Sequence, residues 1–221
     1  MRTVKILDQS QLADIDILLE NITFQDGKKS AKGLAKKVKK NQEAVTSGDG
    51  YAALSGYISK VLLESDWLKK RYLTKKFSNH IINKYLVGNT YGRHFDPSHM
   101  LNKLTSIKKD FSFTLMLSKA SAYDGGELEI ESGNLTHKVK LDAGDMVIYP
   151  SMYMHNILPI TQGERVAYVG WFASHIKDHF ALETLNSYED MYLALMKYEL
   201  SEDDQISLGY VQNRLQHLLS D

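Results

Sequence analysis

The chain has 221 residues, and 27 lysines and arginines balance 27 aspartates and glutamates. Zero formal net charge argues against generic polyanion binding, so no nucleic-acid partner is expected. The sequence has no cysteine, which excludes disulfides, thiolate metal sites, iron–sulfur clusters and thiol nucleophiles. A metal site would have to use nitrogen and oxygen ligands. No stretch approaches the ~18 apolar residues of a membrane span, and Met1-Arg2-Thr3-Val4-Lys5 does not open an apolar leader. A cytoplasmic protein without a membrane partner is the expectation.

The first third reads as helical. Ser10 is placed to cap a helix carrying Leu12, Ile15, Leu18 and Leu19 at the 3.6-residue period. Residues 24–41 hold Gly27, Gly33 and lysines at 28, 29, 32, 36, 37, 39 and 40, the composition of a solvated basic loop. Ala53, Tyr57, Val61 and Leu62 return to helical spacing, and Asp66 is placed to cap a turn through Tyr72.

From about Phe77 the period falls to two. Phe111, Phe113, Leu115 and Leu117 alternate with Ser112, Thr114 and Met116, while Leu128 and Ile130 alternate with Glu127, Glu129 and Glu131. Val139 and Leu141, the run Met146 to Tyr149 and the stretch Arg165 to Phe172 continue the series. Short strands with turns such as Asp124-Gly125-Gly126 predict a β-sandwich or jelly roll. Helical spacing resumes after Ile176, and Ser201 with Asp204 resembles a capping box. The expected organisation is one α+β domain. Residues 1–76 form a helical and lysine-rich region, 77–176 the β-roll core, and 177–221 the C-terminal helices. That last amphipathic segment would either cap the sheet or make a homodimer contact, with capping favoured.

Three pieces carry chemistry. In Tyr91-Gly92-Arg93-His94-Phe95-Asp96-Pro97, a strand would turn His94 and Asp96 to the same side. Alone, such a pair is more simply a surface feature. His155 follows the apolar run and would add a second imidazole. Two histidines and one carboxylate make the facial set that leaves iron(II) with open positions. Arg165 lies ten residues beyond His155, on a strand face shared with Ala167, Val169 and Trp171. An inward guanidinium needs an anion, and a dicarboxylate would supply one through a bidentate pair. A structural ion pair is the simpler alternative. His80, His137, His175, His179 and His217 lack partners at ligand spacing.

The ordered segments Phe24-Gln25-Asp26-Gly27, Asn83-Lys84-Tyr85, Asn89-Thr90-Tyr91-Gly92, His94-Phe95-Asp96, Tyr123-Asp124-Gly125-Gly126-Glu127-Leu128, Ala143-Gly144-Asp145, Tyr149-Pro150-Ser151 and Gly163-Glu164-Arg165 resemble the PKHD-type hydroxylases. These are iron(II)- and 2-oxoglutarate-dependent oxygenases of the prolyl 4-hydroxylase-like group, and the resemblance spans about residues 20 to 185. It implies a double-stranded β-helix with flanking helices. It also implies iron held by His94, Asp96 and His155, with 2-oxoglutarate held by Arg165 and Tyr85 and lined by Thr161 and Trp171. Lys39, Asn41, Tyr91 and His99 would border the substrate entrance. The implied reaction hydroxylates an aliphatic C–H, of peptidyl proline or lysine or of a small molecule. It consumes O2 and 2-oxoglutarate and releases succinate and CO2, with L-ascorbate as an accessory. A carboxylate at Asp96 favours hydroxylation over halogenation, for which related enzymes carry a small residue. The family continues from its aspartate with small residues, whereas here Pro97-Ser98-His99 follows, which bears on substrate preference. A non-catalytic ligand-binding roll and a cupin-type metal enzyme are the competing classes. The latter uses closer histidine clusters than this chain has.

Overall fold

A computed structural model of the chain describes residues 1–31, 33–78, 80–101 and 106–220; Lys32 of the basic run lies outside them. In chain order the elements are β1 (Arg2–Lys5), α1 (Gln9–Leu19), β2 (Phe24–Asp26), α2 (Gly33–Val38), β3 (Lys39–Lys40), β4 (Gln42–Ala44), α3 (Asp49–Glu64), α4 (Asp66–Tyr72), β5 (Thr74–Phe77), β6 (Ile81–Tyr85) and β7 (Thr90–His94). They continue with β8 (His99–Leu101), β9 (Ser106–Lys108), β10 (Phe111–Met116), β11 (Tyr123–Gly125), β12 (Leu128–Ser132), β13 (Leu135–Val139), β14 (Asp145–Pro150), β15 (His155–Ile157), β16 (Ile160–Gly163), β17 (Arg165–Ser174), α5 (His179–Leu195) and α6 (Glu202–Leu219). Among the described residues no helix is long and apolar enough to cross a membrane.

Two compact units form, Met1–Ser65 with Phe77–Phe172 and Asp66–Lys76 with Ala173–Asp221. In the first, a large antiparallel sheet runs β1-β14-β10-β17-β6-β4-β2, and a second runs β13-β12-β15-β7-β3. Between them lies one apolar cluster. Tyr85, Met116, Val147, Tyr149 and Ala167 come from the large sheet, and Leu128, Ile130 and Ile157 from the other. This is the jelly-roll arrangement that the alternating strands predict. The N-terminal region contributes more than helices and a loop, because β1 pairs with β14 and β4 with β6.

The other face of the large sheet is also covered. Every residue of β10 is buried, so its alternation separates two interiors rather than core from solvent. The Phe113 side meets Phe77, Tyr168 and Phe172, and Ser55 and Ser59 of α3 reach the Tyr168 hydroxyl, each at 3.2 Å. The buried stripe of α3 is Leu54, Ile58 and Leu62; of the expected Ala53, Tyr57, Val61 and Leu62 only Leu62 belongs to it, and the Tyr57 hydroxyl donates to Asp14 of α1 at 2.8 Å. The cap of α1 is Asp8 rather than Ser10: Asp8 and Gln11 close a reciprocal capping box. Asp66 is the first residue of α4, not a residue preceding it. Within the second unit, Asn186 of α5 exchanges hydrogen bonds with Arg71 of α4, and Ser201 caps α6 through the Asp204 amide, as expected.

His80 packs between Phe77, Phe113 and Tyr168. Its Nε2 is enclosed without a hydrogen-bond partner, and burial lowers its pKa to about 4. The folded state therefore holds His80 neutral. That contribution is present above its unfolded pKa of about 6.5 and is lost as pH falls towards 4. Between pH 7 and pH 5 the loss is expected to be about 2 kcal/mol. Chemical denaturation at both pH values should show a correspondingly smaller loss in His80→Leu.

Candidate active site

β15 and β7 lie side by side, and the antiparallel register places His155 directly opposite His94. Their ring centroids are 4.3 Å apart. Each ring is fixed by a hydrogen bond two residues back along its own chain. Nδ1 of His94 meets the Gly92 carbonyl at 2.8 Å, and Nδ1 of His155 meets the Tyr153 carbonyl at 3.0 Å. With Nδ1–H donating to a carbonyl, each neutral imidazole keeps its Nε2 lone pair for a ligand. Burial, and the proximity of His155, push the His94 pKa down to about 4, so His94 is a free base at neutral pH. Tyr91 stacks on His94 with centroids 3.6 Å apart, and burial raises its own pKa to about 12.

Asp96 lies beyond the end of β7. The expectation that two ligands share one strand is thus corrected: His94 ends the strand, and the chain turns out before delivering the carboxylate. What aims Asp96 is the large sheet. Its Oδ2 accepts from Ser112 Oγ of β10 at 2.7 Å and from Trp171 Nε1 of β17 at 2.7 Å. Ser112 and Trp171 are themselves register partners. Trp171, expected to line a cosubstrate pocket, donates its indole N–H to the carboxylate. Ligand atoms of His94, Asp96 and His155 all fall within 4.8 Å of one another, a spacing that one metal ion can bridge.

Arg165 opens β17 and is 2% exposed. Tyr85, its register partner on β6, places a ring centroid 5.4 Å from the guanidinium. Nη2 reaches the Met116 sulfur at 3.6 Å, the Tyr123 hydroxyl lies beside the guanidinium, and among the described residues Nε is enclosed without a partner. Among the described residues no carboxylate pairs with it, which removes the structural ion pair as its explanation. A buried guanidinium in such a setting is costly until an anion arrives. Gly126 makes room beside it. With φ of +67° it favours glycine, and a Cβ there would fall 2.2 Å from Ile160 Cδ1 and 3.3 Å from Arg165 Cδ.

The remaining expected positions divide. Thr161 is exposed on β16, and the buried residue of that strand is Ile160, so Thr161 does not line the Arg165 pocket. His99 is exposed, with Nδ1 3.0 Å from Ser98 Oγ. Lys39 and Asn41, expected at an entrance, are each only 5% exposed. Lys39 pairs with Glu43 and sits 5.1 Å from the Tyr91 ring centroid. Asn41 donates to Asn83 at 2.8 Å. Lys28, Lys29, Lys36, Lys37 and Lys40 are solvated as expected, but the segment is not a loop, since Lys36 and Lys37 lie on α2 and Lys40 on β3, and Lys39 is buried.

The 2OG-Fe(II) oxygenase superfamily model matches residues 80–173. A PKHD-type hydroxylase of Hyphomonas neptunium is 39% identical over 179 residues, covering 78% of this chain and 77% of the relative. The chain belongs to the PKHD-type hydroxylases. Among solved structures, a Pseudomonas putida prolyl-4-hydroxylase aligns with TM-score 0.51 and 17% identity over 78% of this chain and 91% of its own. A Trichoplax adhaerens prolyl hydroxylase in complex with a hypoxia inducible factor peptide fragment aligns at 0.54 and 14%, covering 77% and 82%. Both share the fold.

A PKHD-type hydroxylase is a dioxygenase, and its superfamily uses iron(II), 2-oxoglutarate and O2. The residues present fit those groups: a nitrogen–nitrogen–carboxylate set for iron(II), and an unpaired buried guanidinium for a dicarboxylate. Sequence reasoning missed Ser112 and the indole N–H of Trp171 as partners of Asp96. The only signal was a polar residue within a strand too apolar to face solvent. In this PKHD-type hydroxylase the Trp171→Phe variant keeps most of the ring but loses the donor. Iron(II) affinity, titrated anaerobically, is expected to fall roughly 10- to 100-fold.

Proposed function

We propose that the chain hydroxylates an aliphatic C–H of peptidyl proline or lysine, with His94, Asp96 and His155 holding iron(II) and Arg165 holding the far carboxylate of 2-oxoglutarate. The observation that carries this is the joint presence, in one roll, of the three converging ligand groups and a buried arginine without an anion. When bound, iron(II) supplies the O2 chemistry that couples decarboxylation of 2-oxoglutarate to hydroxylation.

The side chains supply the geometry. The two Nδ1 hydrogen bonds fix the imidazole tautomers, and Ser112 and Trp171 fix the carboxylate. Tyr85 and Tyr123 flank the guanidinium, and burial raises both phenol pKa values. They remain neutral and keep its surroundings dry, so an ionic contact made there is stronger than in water. Lys39 supports the Tyr91 ring behind His94 rather than meeting substrate. Phe95 and Met152, 63% and 80% exposed, form the apolar rim over which substrate enters. The prolyl hydroxylases among the structural relatives support the peptidyl substrate.

The test is succinate formation from 2-oxoglutarate by the purified protein with iron(II), L-ascorbate and a library of proline- and lysine-containing peptides, with mass spectrometry for a product gaining one oxygen. Chelation of the metal should abolish turnover, iron(II) should restore it, and zinc(II) should not. Turnover that survives chelation would refute the reading.

A further inference from the structure

Lys109 is a cation without an assigned task. It lies just before β10, its amide donating to the Ser98 carbonyl at 2.9 Å, and is only 8% exposed. Its Nζ sits 3.5 Å from the centroid of the Trp171 ring, the same indole that holds Asp96. Among the described residues this ammonium makes no ion pair or hydrogen bond. It is nevertheless not among the fully enclosed polar atoms. A lysine that is nine-tenths buried normally has a carboxylate or several acceptors around it. Here the indole face and the field of Asp96 are what it has. Burial lowers the Lys109 pKa and Asp96 raises it, with burial the larger effect. A metal ion on Asp96 would draw on that same negative charge, leaving Lys109 less compensated in the loaded site than in the empty one.

The cosubstrate is in the wrong place to satisfy it. Arg165 and Trp171 lie on one face of β17, six residues apart, or roughly 20 Å of strand at ~3.3 Å per residue. Arg165 stands at one end of that stretch, and Lys109, over the Trp171 ring, stands at the other. The segment next to Lys109 is Pro97-Ser98-His99, which is exposed. Lys109 therefore adjoins an exposed segment through its backbone, while its ammonium stays beside the proposed ligand Asp96.

We propose that Lys109 binds a carboxylate of the primary substrate and so selects substrates carrying an anionic group close to the carbon that is hydroxylated. This rests on the functional reading above and narrows it. Either an amino acid or peptide terminus or an acidic side chain would supply the group.

The test uses zinc(II) in place of iron(II), so that no turnover occurs, in a Trp67→Phe background that leaves Trp171 as the one tryptophan. Zinc(II) and 2-oxoglutarate affinities are measured first by calorimetry. If neither binds, the functional reading fails. With both bound, N-acetyl-L-proline and Nα-acetyl-L-lysine are titrated against their C-terminal amides, and Trp171 fluorescence is followed. At least one carboxylate is expected to bind about ten-fold or more tightly than its amide. Lys109→Met should bring that ratio close to one and Lys109→Arg should retain it; both variants should bind 2-oxoglutarate as the parent does, and Lys109→Met should bind zinc(II) at least as tightly, because a positive charge beside Asp96 is removed. The inference is overturned if no carboxylate is preferred, or if the preference persists in Lys109→Met. It is also overturned if Lys109→Met weakens 2-oxoglutarate itself, since Lys109 would then serve the cosubstrate.

Discussion

Asp96→Ala is expected to reduce succinate formation to background and to weaken iron(II) binding by more than the roughly 100-fold that losing an outer partner can cost. The substitution removes the anionic ligand of the set. It also strands Trp171 Nε1, which donates to Oδ2, leaving one buried donor short of an acceptor at about 1–3 kcal/mol, while Ser112 Oγ can turn to Ser151 Oγ at 2.9 Å. Lys109 loses its nearest counter-charge at the same time. The variant should therefore melt at a lower temperature than the parent without metal, and added iron(II) should no longer raise its melting point. Retention of iron-dependent stabilisation would remove Asp96 from the ligand set.

Arg165→Met should separate binding from stability. The guanidinium is surrounded by Tyr85, Tyr123, Met116 and Ile160, with no carboxylate partner among the described residues. Without cosubstrate, a methionine satisfies those surroundings at least as well, because replacing buried charge by apolar volume is often neutral or stabilising. The affinity for 2-oxoglutarate should move the other way. Losing one partner of a buried charge pair costs about 2–5 kcal/mol, roughly 30-fold to a few thousand-fold in Kd. Calorimetric titration of 2-oxoglutarate and thermal denaturation without it should give these opposite results. A variant that binds 2-oxoglutarate as the parent does would show that the anion lies elsewhere.

The sequence exposes what depends on local pattern. Strands with a two-residue period sit where β10 and β12 form and the continuous apolar run sits where β14 forms, and His94, Asp96, His155 and Arg165 stand out because few residue types combine into such a set. Their convergence comes from the β7–β15 register, which spacing alone does not reveal. Contributions from partners distant in sequence stay hidden. Trp171 reads as a lining residue because its bond to Asp96 joins positions 75 residues apart. Lys39 reads as one of seven solvated lysines because its burial depends on Glu43 and on pairing between β3 and β7. Thr161, a lining position implied by the resemblance, is exposed on β16, whose register with β11 is irregular. The N-terminal strands are two to four residues long, too short for a period to emerge.

The two histidines and the aspartate are held in different ways. Each imidazole is oriented by a main-chain carbonyl two residues earlier, a contact that deleting another side chain does not remove directly. The carboxylate is oriented by side chains from two other strands. Sequence drift can therefore leave the nitrogen half of the centre untouched while shifting the oxygen half by small steps, through positions 112 and 171. The basicity and angle of one ligand become adjustable without dismantling the site, and descendants of this roll have a route to altered reactivity that begins outside the coordinating residues.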